Sequence, residues 1–192
     1  MPLPPSIPRD ELHLRSIELR GFRRSDGLYD VEARMVDTKV HEITLGDGRI
    51  VPPGESLHDM SVRLTVDDDL NVIDIVASTD ASPFRICPEA TGTLQTVKGL
   101  RIGAGWSAAI RERLGGRKGC THLTELLSPL ATVAFQTLAP MRLTKPTPVD
   151  QQGRPTKIDS CYAYASDREV VRQRWPMHYD GPAGMEPQRP PE

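Results

Sequence analysis

Apolar and polar residues alternate along the first half of the chain, and this spacing is typical of strands with one buried face. Two alternating stretches surround the turn-forming triplets Ser25-Asp26-Gly27 and Asp67-Asp68-Asp69. Their apolar positions are Leu14, Ile17, Leu19, Tyr29, Val31, Ala33 and Met35 around the first triplet, and Met60, Val62, Leu64, Val66 and residues 72–76 around the second. Aspartate suits such turns because its carboxylate accepts hydrogen bonds from nearby backbone N–H groups. The pattern predicts two antiparallel hairpins, with a shorter strand over residues 40–45.

The second half repeats its apolar residues every three or four positions, as one face of a helix does. This spacing predicts helices over residues 88–97, 106–114 and 121–138. Pro129 lies inside the third of these, so a kink or a split is expected near Leu127. Strands followed by helices indicate an α+β fold: an N-terminal antiparallel β-meander, then a helical half that packs on one face of the sheet.

The C-terminal part of the chain has weaker signals. Ser166 and Glu169 have the spacing of a capping box, which predicts a short helix that ends near Arg174. Residues 158–164 fit a strand, and residues 142–157 fit a long loop.

Composition limits the class of protein. The 192 residues suffice for one domain, which we predict over residues 12–178, between disordered proline-rich ends at 1–11 and 179–192. A formal net charge of -2 and an aromatic content of 5% argue against a nucleic-acid partner. No apolar run approaches the ~18 residues of a membrane span, and the N-terminus lacks the features of a signal peptide. We therefore expect a cytoplasmic protein that binds neither nucleic acid nor membrane.

The three cysteines do not form the pattern of a disulfide framework. Cys87, Cys120 and Cys161 are an odd number of thiols at wide spacing. In a reducing compartment they are free thiols, buried apolar side chains or metal ligands. With His122 they form the predicted metal set, to which Asp80 adds an oxygen donor, because thiolates and imidazoles suit zinc or an iron-sulfur cluster.

Residues 115–122 carry the densest group of reactive side chains. Arg117, Lys118 and Gly119 precede a predicted helix N-terminus, where the backbone N–H groups and the helix dipole favour an anionic ligand. Cys120 and His122 follow, and the same environment favours a thiolate at Cys120. The alternative is an ordinary loop between two helices, with glycines for its turns and two solvated cations.

A further pair lies at the start of a predicted strand. His58 and Asp59 are adjacent, and their functional interpretation is a general base with its orienting carboxylate. The alternative is a half-exposed histidine beside an aspartate that bonds to backbone.

Five strings of the sequence are distinctive when taken together. They are residues 17–28 (Ile-Glu-Leu-Arg-Gly-Phe-Arg-Arg-Ser-Asp-Gly-Leu), 53–60 (Pro-Gly-Glu-Ser-Leu-His-Asp-Met), 64–69 (Leu-Thr-Val-Asp-Asp-Asp), 115–123 (Gly-Gly-Arg-Lys-Gly-Cys-Thr-His-Leu) and 159–161 (Asp-Ser-Cys). With these strings the chain resembles a proteobacterial family known as domain-of-unknown-function family 2889, over about residues 12–175. This resemblance implies kinship and no particular activity.

A second likeness is to the iron-sulfur scaffold proteins of the IscU/NifU type. Those proteins also have a hairpin with an acidic turn, a cysteine after it, and a cysteine that opens the last long helix. Cys87 and Cys120 occupy the corresponding positions here. The likeness implies that metal content is worth testing.

Three functions remain open from the sequence. The leading hypothesis is a cytoplasmic metal-binding accessory protein, with zinc or an iron-sulfur cluster held by Cys87, Cys120, His122 and Cys161. The second is an enzyme in which Cys120 is the nucleophile, His122 or His58 is the base, and the basic loop holds an anionic small molecule. The third is a ligand-binding or protein-interaction domain without catalysis.

Overall fold

The computed structural model describes residues 3–142, 144 and 146–182 of the chain. The structure divides into two compact units, Met1–Pro140 and Met141–Glu192, and each is described by itself. The predicted disordered ends include residues 1–2 and 183–192, which lie outside the described residues. The predicted limits of a single domain stay a prediction.

The first unit begins with a four-stranded antiparallel sheet in the order β1-β2-β5-β6. Its strands are β1 (His13–Arg23), β2 (Tyr29–Lys39), β5 (Ser56–Val66) and β6 (Val72–Ala81). Two short strands, β3 (Ile43–Thr44) and β4 (Ile50–Val51), form a separate small hairpin. Both predicted hairpins are confirmed, and the strand predicted over residues 40–45 is shortened to β3.

The two faces of the sheet differ as the alternation predicts. The inner face carries buried side chains, namely Tyr29, Val31, Ala33, Met35, Met60, Val62, Leu64, Val66 and Ile75. The outer face carries ion pairs between exposed side chains, such as Glu32 with Arg63 and Glu18 with Arg20. One apolar face needs a cover, and the helices supply it.

Four helical segments follow the sheet: a 3₁₀ helix (Cys87–Val97), α1 (Trp106–Leu114), a short 3₁₀ turn (Gly116–Lys118) and α2 (Thr121–Arg142). The first was predicted as an ordinary helix. Its threonine hydroxyls donate to carbonyls three residues earlier, as from Thr91 to Pro88 and from Thr93 to Ala90. Such local bonds compete with α-helical geometry, which accounts for the tighter helix.

Helix α2 is continuous, so of the two predicted alternatives near Leu127 the split is wrong, and the kink stays a prediction. Pro129 removes only one helical N–H donor, and burial of leucines on both sides of it holds the helix together. The buried side chains of α2 are Leu123, Leu126, Leu127, Leu130, Ala131, Ala134 and Leu138. The Trp106 indole N–H donates to the Leu127 carbonyl at 3.2 Å, which ties α1 to α2.

Helix α2 lies close against β1. A Cβ atom on Gly21 would stand 1.8 Å from the hydroxyl oxygen of Thr137, so glycine permits this approach. Near the other end of the contact, Arg15 of β1 forms an ion pair with Glu125 of α2 at 2.7 Å. These two contacts place the N-terminus of α2 over the end of the sheet where β1 begins.

The described part of the second unit contains a short helix, α3 (Glu169–Arg174), and 3₁₀ turns at Tyr162–Tyr164 and Pro176–His178. The strand predicted over residues 158–164 is wrong, because Asp159 has a positive φ of 63° and breaks an extended run. The capping box is also wrong. The Ser166 N–H bonds to Asp159, and α3 begins without a side-chain cap.

Among the described residues, no helix combines the length and apolar character that a membrane span requires.

Candidate metal centre

Three polar side chains form a row across neighbouring strands at one end of the inner face. Arg15 of β1 lies opposite Asp37 of β2, and Asp37 lies opposite His58 of β5. Directly opposite residues of antiparallel strands share a face, so the three side chains point the same way. The β2–β5 register shifts just after Asp37. Bulges of this kind redirect side chains and are frequent beside functional sites.

Helix α2 adds a second histidine to this row. The rings of His58 and His122 have their centroids 4.0 Å apart, at an interplanar angle of 36°. One ligand atom from each of Asp37, His58 and His122 lies within 4.8 Å of the others. This triad is the one such group of three or more potential ligands among the described residues.

Asp37 is the buried anchor of the site, with 2% of its surface exposed. Arg15 donates to both of its carboxylate oxygens at 2.8 Å, and His58 Nδ1 lies 3.0 Å from Oδ2. His13 adds a weaker contact at 3.4 Å. Burial alone would raise the pKa of Asp37, but the Arg15 hydrogen bonds and charge outweigh it and hold that pKa below its usual range. Asp37 is therefore a carboxylate at neutral pH.

His58 is held in its neutral form. Burial is the main cause that lowers its pKa, and the neighbouring His122 lowers it further, against the opposing charge of Asp37. Neutral imidazole is the form that binds metals, since protonation occupies the ligand nitrogen. His58 and Asp37 are thus both in the protonation state that ligation requires.

Arg15 links the strand row to the helix. Its guanidinium contacts Asp37 through two nitrogens and Glu125 of α2 through the third. A planar guanidinium can make this double contact in fixed geometry, whereas a lysine cannot. Arg15 therefore sets the position of His122, one helical turn before Glu125, relative to Asp37.

Cys120 borders the triad. It directly precedes α2, and its carbonyl accepts the Thr124 N–H bond of the first helical turn. Its sulfur lies 4.0 Å from His122 Nδ1. The side chains of two helical residues that are two positions apart point in different directions. A residue that precedes the first helical position is free of this geometry, and its side chain can contact the side chain of the second helical residue. Cys120 stands at that position, which allows its sulfur to lie beside the His122 ring.

The predicted anion-binding residues lie in the turn before Cys120. Arg117 and Lys118 have exposed side chains, and Lys118 donates to the Glu112 carbonyl at 2.8 Å. Gly119 packs near the Leu114 backbone, where a Cβ atom would stand 2.9 Å from the carbonyl oxygen. Anion binding at this turn stays a prediction.

The two remaining cysteines of the predicted ligand set are not members of the triad. Cys87 is half-buried at the first position of the 3₁₀ helix, and Cys161 is exposed in the second unit. Of the four predicted ligands, His122 alone belongs to the triad. The four-residue set therefore stays a prediction.

The carboxylate that contacts His58 is not that of its sequence neighbour, Asp59. Asp59 pairs with Arg34 on the outer face, with their closest atoms 2.6 Å apart. Successive strand residues point to opposite faces, so the interpretation of His58 and Asp59 as one pair is wrong. Asp37 is the partner that sequence reasoning missed.

A sequence signal for this row exists. The turn centred on Asp26 aligns the first hairpin so that Arg15 stands opposite Asp37. Arg15 and Asp37 are polar residues at inner-face positions that are otherwise apolar, and this interruption of the pattern indicates a site. The contribution of His122 has no such signal, because it depends on how α2 packs.

Comparison with known proteins identifies a family. Searches of curated proteins and of solved structures found no match, so the likeness to iron-sulfur scaffold proteins gains no support. A family described as protein of unknown function (DUF2889) matches residues 13–136, which is more than half of the 192-residue chain and includes the whole triad. The chain therefore belongs to domain-of-unknown-function family 2889.

Proposed function

We propose that this protein binds a divalent metal ion at Asp37, His58 and His122. The observation that carries the proposal is the convergence of their ligand atoms, within 4.8 Å of one another, from three separate elements. Two strands and the start of a helix contribute one residue each. Burial of two imidazoles and a carboxylate removes water from their polar atoms, and this desolvation opposes folding. A cation bound by all three side chains would offset it.

The chemistry of the donors favours zinc or a similar ion over an iron-sulfur cluster. Clusters are held mainly by thiolates, whereas nitrogen and oxygen donors suit zinc. The His58 Nδ1 contact with Asp37 leaves Nε2 as the free ligand nitrogen, an arrangement found around many metal-bound histidines. Asp37 then serves as a ligand or as the group that orients His58. Cys120, whose sulfur lies 4.0 Å from His122 Nδ1, is a thiol that could complete the set.

The metal content of purified protein tests the proposal. We expect stoichiometric zinc or a related ion in the wild-type protein and its loss in His58→Ala and His122→Ala. His41→Ala is the matched control, because His41 is exposed and lies outside the site. Unchanged metal in both triad variants would contradict the proposal.

Cysteine variants separate this site from the set predicted by sequence. If the triad is the site, Cys87→Ser and Cys161→Ser keep their metal, while Cys120→Ser weakens binding or leaves it unchanged. Metal lost from Cys87→Ser and Cys161→Ser, with full retention in His58→Ala, would favour the cysteine set instead. The accessory role and cytoplasmic location inferred from the sequence are parts of this proposal.

A second function is favoured by one observation, the 4.0 Å contact between the Cys120 sulfur and His122 Nδ1. In a cysteine-dependent enzyme, His122 would take the thiol proton, and the turn with Arg117 and Lys118 would attract an anionic substrate. This function predicts that iodoacetamide alkylates Cys120 faster than the exposed Cys161, and that His122→Gln removes the difference. Slower modification of Cys120 than of Cys161 would exclude an activated thiol.

A further inference from the structure

The N-terminal end of helix α2 differs from that of a capped helix. The Thr124 N–H donates to the Cys120 carbonyl at 2.9 Å, so Cys120 is the residue at which a side-chain cap would stand. Cysteine is not one of the residues that cap helices well. In the part of the chain that the structure describes, neither a backbone carbonyl nor a side chain accepts the N–H groups of residues 121–123. This helix of 22 residues therefore presents three N–H groups and the positive end of its dipole to a ligand.

A second polar group without a partner lies at the same place. His58 has 8% of its surface exposed, and its Nδ1 contacts Asp37. The other ring nitrogen of His58, Nε2, has no hydrogen-bond partner among the described residues. The centroid of the His58 ring lies 4.0 Å from that of His122, which is the second residue of α2. A buried polar side chain with an unused nitrogen indicates a ligand, and this one stands beside the uncapped helix end.

The charges around the triad favour an anion once a divalent metal ion is bound. Asp37 and Glu125 carry one negative charge each, and Arg15, which pairs with both, carries one positive charge. A divalent ion therefore makes this group of charges positive. The helix end adds to that positive charge, and the turn before it contributes the exposed side chains of Arg117 and Lys118. A metal ion at this place is stabilised when an anion accompanies it.

We propose that the metal centre holds a small oxyanion, a phosphate or a carboxylate, as an exchangeable ligand. One oxygen binds the metal ion, and a second oxygen accepts hydrogen bonds from the N–H groups of residues 121–123. This ligand depends on the metal site proposed above, and it gives the class of small molecule that the site takes. Arg117 and Lys118 attract the oxyanion by charge, which joins the predicted anion-binding turn to the metal centre. A monatomic anion lacks the second oxygen and cannot make both contacts.

Titration calorimetry of the zinc-loaded full chain tests this ligand with inorganic phosphate and with acetate. We expect a Kd of about 1 mM or tighter, which is within reach of ligands of so few atoms. Binding of phosphate alone identifies a phosphate compound, binding of acetate alone identifies a carboxylate, and binding of both supports their shared chemistry. Chloride should bind at least about tenfold more weakly, because it cannot bridge the two contacts. Zinc-depleted protein should also bind the oxyanion at least about tenfold more weakly, because the contact with the metal is lost.

Two variants of Cys120 isolate the contribution of the helix end. Asparagine is a good cap and alanine is not, and both substitutions remove the thiol. Cys120→Asn should therefore bind the oxyanion at least about threefold more weakly than Cys120→Ala, because the new cap competes for the N–H groups. The double variant Arg117→Ala/Lys118→Ala should weaken binding about two- to tenfold through the loss of two exposed charges. Arg101→Ala is the matched control, since the exposed Arg101 lies beside Asn71, at the other end of the sheet from His58.

The outcomes separate this ligand from the metal site itself. Zinc uptake without binding of phosphate or acetate would overturn the ligand and leave the metal site standing, whereas absence of zinc uptake would contradict the metal site and the ligand with it. Equal affinity in zinc-depleted protein would overturn the ligand, because the metal would then make no contact.

The variants decide the two protein contacts. Equal affinities of Cys120→Asn and Cys120→Ala would overturn the contact with the helix end. Weakening by Arg101→Ala as large as that by Arg117→Ala/Lys118→Ala would overturn the role of the turn. Zinc content and far-UV circular dichroism are measured for every variant, so affinities are compared only among folded, zinc-loaded proteins. The comparison at Arg117 and Lys118 leaves Cys120 unchanged, so it decides the matter even if the thiol is needed for zinc.

Discussion

Replacement of Arg15 by alanine tests the polar row at the two-point ion pair between Arg15 and Asp37. The variant leaves Asp37 buried without the guanidinium that donates to both its oxygens at 2.8 Å. Removal of one partner from a buried ion pair destabilises a protein by about 3–5 kcal/mol. Arg15 is partly exposed, and two histidines remain near Asp37, so we expect the lower end, about 3 kcal/mol. At ~2–4 °C per kcal/mol for a chain of this length, the melting temperature should fall by roughly 6–12 °C.

Urea denaturation of metal-free protein measures this change. Trp106 is buried in the first unit, so its fluorescence in a Trp175→Phe background reports on that unit. Arg63→Ala is the control, since Arg63 pairs with Glu32 on the exposed outer face and such pairs contribute less than about 1 kcal/mol. A loss in Arg15→Ala no greater than in this control would refute the reasoning, because the histidines and solvent would then suffice for Asp37.

The pH dependence of the same variant gives a second check. In the wild-type protein the pKa of Asp37 is lowered, so its contribution is present above the ordinary value of 3.8 and lost as pH falls through the folded pKa. Without Arg15, burial acts with less opposition and the pKa of Asp37 rises. Protonated Asp37 needs Arg15 less, so the stability difference between wild type and variant should narrow on acidification. A difference that widens would contradict the assigned charge state.

Two further predictions concern the histidine and the helix contact. Burial and the neighbouring His122 lower the pKa of His58, so protonating it costs more in the folded protein than in the unfolded chain, and the metal-free fold loses stability as pH falls from about 6.5 through the folded pKa. Urea titrations should show a shallower acid loss in His58→Gln than in wild type, and equal slopes would contradict this reasoning. Gly21→Ala should destabilise the protein by about 1–3 kcal/mol, because its Cβ atom would overpack against Thr137. Thermal denaturation should show that Thr137→Ala partly restores the lost stability, and absence of this rescue would place the strain elsewhere.

The sequence predicted those parts of the fold that depend on local periodicity and turn chemistry. The two hairpins, helix α1 and helix α2 all follow from apolar spacing, because burial of one face sets a period of two or 3.6. The predictions of secondary structure failed where a local hydrogen bond or backbone conformation outweighed the apolar spacing. Threonine hydroxyls tightened the segment Cys87–Val97 into a 3₁₀ helix, and a positive φ at Asp159 broke the predicted C-terminal strand.

The candidate site was predicted only in part. His122, Cys120 and His58 were named as candidates, and His122 and His58 do meet. Asp37 and Arg15 were missed, because Asp59 is the carboxylate next to His58 in sequence, although its side chain points to the opposite face. The register of the first hairpin could have supplied Arg15 and Asp37.

The sequence by itself thus determined the α+β class, the strand pairing and the family of this protein, since these depend on periodicity, on turns and on motif strings. Only the tertiary structure decided which polar groups share a site. Asp37, His58 and His122 come from two strands and a later helix, and their meeting depends on the packing of α2 against β1 through Gly21 and the Arg15–Glu125 ion pair. Contacts between residues so distant in the chain arise from burial and shape complementarity, which local patterns do not encode.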